Sequence, residues 1–140
     1  MTDAGGAAPH DAHRALRAAR QALLRGDRQE ARRMARLAAR LSPRWDAPWL
    51  ILAAVSEPRA GLAYAVRALE INPGSQAARG AIRWLVKRLP REARAEAVRE
   101  LRIPGGLVVE LLSPAALASP RHLVPQLLIP ALLITGALAV

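Results

Sequence analysis

The chain contains no cysteine, no phenylalanine and a single lysine. Without cysteine it can form neither a disulfide nor a thiolate metal site, and its redox compartment is left open. Aromatic residues make up only 3%. A core must therefore come from Ala, Leu, Val and Ile, which suits close-packed helices. No stretch before residue 103 alternates β-branched and polar residues, so no strand is expected there. The first twenty residues hold no apolar run. They lack the core of a signal peptide, and residues 1–9 read as a flexible tail.

Positive charge is abundant by contrast. The net charge is +10, and Lys87 is the lone exception among 21 basic residues. Residues 1–40 carry nine Arg against four acids, and residues 41–121 carry twelve basic residues against seven acids. Residues 122–140 carry no formal charge. Such a balance suits solvated helix faces beside a membrane, and also a nucleic-acid binder.

From His10 to Leu101 the apolar residues recur with helical period. Leu16, Ala19 and Leu23 form one stripe, which Gly26-Asp27 interrupts as a turn. Ala31, Met34, Ala35, Ala38 and Leu41 form a second, which Pro43 stops. Trp45, Trp49, Leu52 and Ala53 open a third. Ser56-Glu57-Pro58 reads as an N-cap with an early-turn proline. Leu62, Ala65, Val66 and Leu69 follow, ending at Asn72-Pro73-Gly74. Ser75 caps a fifth helix bearing Ala78, Ile82, Leu85, Val86 and Leu89, and Pro90 opens a sixth.

The helices thus pair, and the pairs repeat: "AARLSP" at residues 38–43 returns as "ALEINP" at 68–73. Pro9 and Pro43 lie 34 residues apart. Between them Ala15, Ala19, Gly26-Asp27, Ala31, Ala38 and Leu41 fall at repeating positions. Trp49, Leu52, Ala53, Ala68, Leu69 and Pro73 do so in the next unit, although Pro43 and Pro73 are only 30 apart. In these positions residues 10–89 resemble the tetratricopeptide repeat. The resemblance implies an all-α fold of antiparallel helix pairs: two degenerate units, a partial third from Ala78 and Ile82, and a domain over 10–102. It also implies a scaffold whose first helices line a concave, protein-binding face. Carried over residue by residue, that face comprises His13, Leu16, Arg20, Ala47, Leu50, Ala54, Gly80, Trp84 and Lys87. His13, Arg20, Leu50, Trp84 and Lys87 are the candidate partner contacts.

After Leu101, "RIPGGLVVELLSPAALASP" is broken by Gly and Pro yet too apolar for a free linker. Residues 103–120 are expected to lie on the membrane or fold back on the repeats. The last eighteen residues, Leu123–Val140, are uncharged, and ten of them are Leu, Ile or Val. Such a stretch reads as a single transmembrane helix within residues 121–140. Pro130 would kink it, and Ala131, Thr135 and Ala139 form a small-residue face. Arginines ahead of the span place the repeats in the cytoplasm, at a bacterial inner membrane.

No catalytic constellation emerges. His10 and His13 offer two imidazoles but no third ligand, and Gly105-Gly106 lacks the Lys and Ser/Thr of a phosphate loop. The expected molecule is a membrane-anchored adaptor for a protein or peptide partner, with no enzymatic activity, cofactor, metal, nucleic acid or small-molecule ligand. Two alternatives stand beside it: the regulatory N-terminal part of a larger membrane protein, and a basic helical module for nucleic acid.

Overall fold

The computed structural model describes residues 4–112, with side-chain surroundings for residues 9–108. Seven helices follow one another there: α1 (Ala4–Leu24), α2 (Arg28–Leu41), α3 (Asp46–Val55), α4 (Pro58–Ile71), α5 (Gln76–Arg88), α6 (Arg91–Glu100) and α7 (Gly105–Leu112). No strand occurs among the described residues. Residues 113–140, including the expected span and its small-residue face, lie outside them. No helix among the described residues is long and apolar enough to cross a membrane.

Local chemistry sets most of the boundaries. Gly26 takes φ +78°, a left-handed value that costs glycine little, and so reverses the chain between α1 and α2. Asp27 then caps α2, its carboxylate accepting from the Glu30 N–H at 3.0 Å. Ser75 caps α5, its hydroxyl oxygen accepting from the Ala78 N–H at 3.1 Å. Pro90 is the N-cap of α6.

Three expectations need correction. Ser56 ends α3 rather than capping α4. Glu57 is the N-cap of α4 with no side-chain hydrogen bond, and Pro58 fills the first turn, where its missing N–H is harmless. α1 starts at Ala4 and runs through Pro9, over residues read as a tail. Finally, Gly105-Gly106, read as a break, opens α7, and residues 103–108 fold back on the preceding helices, one of the two arrangements expected. Ile103 and Leu107 are buried in the same core cluster as Leu69, Ile82 and Val86.

Neighbouring helices pack in sequence, α1 on α2, α2 on α3, α3 on α4 and α4 on α5, while α3 also touches α1 and α5. This is a helical bundle compatible with a helical repeat. The α1–α2 seam is alanine: Ala15 and Ala19 cluster with Ala35 and Ala38, Ala22 with Ala31, and Ala12 and Ala39 are buried as well. α3 has ten residues where α2 and α4 have fourteen, so its unit is about one turn short. It is also the most enclosed helix, with Ala47, Pro48, Leu50, Ile51, Leu52, Ala53 and Val55 buried.

Candidate partner-binding face

Because α3 touches both α1 and α5, the three first helices share one side of the bundle. Two clefts run along it. One, of about 770 Å3, is lined by His13, Arg17 and Arg20 of α1, by Trp45, Asp46 and Leu50 at α3, and by the turn from Asn72 to Ala77. The other, of about 510 Å3, lies where the far ends of the same helices meet α2. Leu23, Arg28, Arg32, Ala54, Val55, Trp84 and Arg88 line it.

The first cleft is organised by long-range pairs. The His13 imidazole stands over Trp45, ring centroids 4.5 Å apart and tilted by 54°. Asn72 donates through Nδ2 to the Asp46 carboxylate at 3.1 Å, fastening the α4–α5 turn to the start of α3. Trp49 donates through Nε1 to the Pro43 carbonyl at 3.3 Å and packs on Tyr64 of α4. Arg20 is partly buried, and burial lowers its pKa from the ordinary arginine value. Its Nη2 is buried with no acceptor among the described residues. A guanidinium held so keeps its charge and has a donor to spare.

In the second cleft the Arg88 guanidinium sits 4.4 Å from the centre of the Trp84 ring, a cation–π stack between residues i and i+4. Arg32 donates through Nη2 to the Val55 carbonyl, satisfying a last-turn acceptor of α3 and tying α2 to it. The cleft thus offers an amphipathic indole flanked by arginines.

The expected contact residues distribute unevenly. His13 and Arg20 line the first cleft and Trp84 the second, where the ring is partly buried against the core. Leu50, 4% exposed, is a core residue that forms the floor of the first cleft rather than a presented contact. Leu16 of α1 and Ala47 of α3 are buried too and share that position. Lys87 is exposed but outside the lining of both clefts. Arg88, one residue on, supplies the cation there. Arg17, Trp45 and Arg88 were missed in the sequence. Only Arg88 carried a local signal, its spacing of four from Trp84.

No group of three metal-type side chains gathers among the described residues. Comparison with family models, curated proteins and solved structures gave no match for this chain. The tetratricopeptide likeness therefore rests on the repeat register and the helix arrangement alone.

Proposed function

We propose that the chain is a tetratricopeptide-like adaptor. The α1–α3–α5 face takes up a segment of a partner protein, and Leu123–Val140 holds the domain on the cytoplasmic side of a bacterial membrane. The observation that carries the first half is the Arg20 donor in the first cleft, a buried Nη2 without an acceptor. A carboxylate or carbonyl of a bound segment would satisfy it and recover the cost of its burial. Trp84 with its stacked Arg88 is the natural anchor in the second cleft, because a rigid aromatic ring contributes contact area at little entropic cost. The membrane half rests on the uncharged C-terminal run.

The test of the face is site-specific photo-crosslinking in the native host. A photoreactive residue replacing Gln76, in the first cleft, should trap a discrete protein. One replacing Ala95, exposed on α6 and outside both clefts, should not. Trp84→Ala should weaken capture by about 2 kcal/mol while costing about 1–2 kcal/mol of stability, less than a fully buried ring would. Identical patterns from the two positions would overturn the assignment. Recovery of the full chain in the soluble fraction without detergent would overturn the anchor.

A further inference from the structure

The second helices of the three pairs carry unequal charge. α2 has five Arg and one Glu, α4 two Arg and one Glu, and α6 three Arg and three Glu. Both arginines of α4 are paired, one with α6 and one within α4 itself. Arg59 meets Glu100 at 2.7 Å and Glu96 at 4.0 Å, and Arg67 meets Glu70 at 3.1 Å. In α2 the one acid, Glu30, is gripped by Arg33 at 2.8 Å. Arg28, Arg36 and Arg40 have no carboxylate partner among the described residues.

At about 100° per residue, Arg28, Gln29, Arg33, Arg36 and Arg40 fall within an arc of roughly 140°. All five are exposed. Ala31, Ala35 and Ala38 fall on the other side and are buried, and Ala39 is buried at the edge beside Arg28. α2 is thus a basic amphipathic helix whose polar face is left uncovered, a pattern associated with membrane surfaces. α5 carries as large an excess, four basic residues and no acid, but there Arg79 donates to the Pro73 carbonyl and Arg88 stacks on Trp84, so among the second helices α2 is the one with a strong, uncovered basic face.

Charge complementarity selects an anionic surface, and two features favour lipid over nucleic acid. The face carries no aromatic ring on which a base could stack. The same chain continues into the uncharged run Leu123–Val140, which places a bilayer within reach. We infer that the exposed face of α2, through Arg28, Arg36 and Arg40, docks on anionic lipid headgroups and lays the domain against the membrane. The inference rests on the membrane placement proposed above and is independent of what the clefts bind.

The absence of cysteine gives the experiment. In the full chain, Gln29→Cys accepts a single fluorophore, and the protein is mixed with vesicles carrying a headgroup-level quencher. Quenching should be about tenfold stronger with phosphatidylserine-containing vesicles than with neutral phosphatidylcholine. It should vanish at about 0.5 M salt, where screening acts within a few ångströms. Arg28→Gln/Arg36→Gln/Arg40→Gln should abolish it. Arg59→Gln/Arg67→Gln/Arg91→Gln, which removes the same charge elsewhere, should leave it. Flotation on neutral vesicles tests the membrane placement separately, so a failed anchor and a failed α2 face give different results. Equal quenching in both lipids, or survival of the signal in the α2 triple variant, would overturn the inference. So would an RNA or DNA oligonucleotide that binds through these arginines while phosphatidylserine leaves the probe unmoved.

Discussion

Two glycines with the same local role have opposite surroundings. Gly61 and Gly80 both lie inside helices, where glycine costs up to about 1 kcal/mol relative to alanine. A Cβ on Gly61 would stand 2.7 Å from the Ala53 carbonyl oxygen and 3.1 Å from Leu85 Cδ2. The first contact is main chain of α3 and cannot rotate away, so Gly61 sets how closely α4 approaches α3. Gly80 has open space around its Cβ direction. Gly61→Ala should therefore lose about 1–3 kcal/mol in a urea melt, whereas Gly80→Ala should gain about 0.5–1 kcal/mol. Equal effects would mean that the α3–α4 seam can widen freely. Glu30 carries the clearest pH dependence. Its hydrogen bond to Arg33, aided by the charges of Arg33 and Arg25, lowers its pKa below the ordinary glutamate value. The stabilisation is complete above that ordinary value and is lost as the pH falls through the lowered one. Glu30→Gln should lower the melting temperature at about pH 7 and match the parent near about pH 2, where both side chains are uncharged.

Each helix end shows how much of an element local chemistry can specify. Asp27→Ala and Ser75→Ala should each cost about 1 kcal/mol, because each removes the only side-chain acceptor for a first-turn N–H of α2 or α5. α6 ends differently. The Ile103 N–H reaches the Val98 carbonyl and the Arg102 N–H reaches that of Arg99, while Arg102 takes φ +49°. This is a Schellman end with arginine where glycine is preferred, sealed by Val98 and Ile103 in one core cluster. Arg102→Gly should raise stability by about 0.5–1 kcal/mol, read by thermal melt, since it relieves a left-handed side chain. The sequence made the turns at residues 26–27, 43 and 72–74 legible, because glycine, proline and the helical period act locally. It hid α7, since Pro104 and the glycine pair look like breakers and only burial of Ile103 and Leu107 shows the helix docked. The face was legible as a set of helices but not as a set of contacts. His13 meets Trp45 across 32 positions, which no local pattern encodes. Leu50 was misread although "DAPWLILAAV" is apolar all round, the mark of a helix covered on every side.

Across the whole molecule the buried side chains are unevenly sized. Of the nine buried side chains of α1 and α2, eight are Ala and one is Leu16. The cluster around α4 and α5 holds Leu62, Val66, Leu69, Ile82, Leu85, Val86, Val98, Ile103 and Leu107. A buried alanine methyl contributes about 0.8 kcal/mol and a buried leucine or isoleucine about 1.5–3. Thirty-five helical residues in α1 and α2 are therefore ordered by less apolar burial per residue than the helices that follow. In a chain of helices that touch mainly their neighbours, such an end unit can open while the rest stays folded. Apolar packing on Ala47, Ile51, Leu52 and Val55 of α3 opposes that opening, joined by the tilted His13–Trp45 contact and the Arg32 hydrogen bond to the Val55 carbonyl. Native-state hydrogen exchange should show the amides of α1 and α2 exchanging through a sub-global opening of lower free energy than those of α4 and α5. Arg32→Met keeps the aliphatic stem but removes the bond to α3. It should lower the opening free energy of α1 and α2 by about 1 kcal/mol and leave the slowest amides of α5 unchanged, because they sit in the core that survives the opening. Amides of α1 and α5 in one slowest class, both shifted by Arg32→Met, would mean that the alanine seam is as cohesive as the leucine core and that the bundle opens only as a whole.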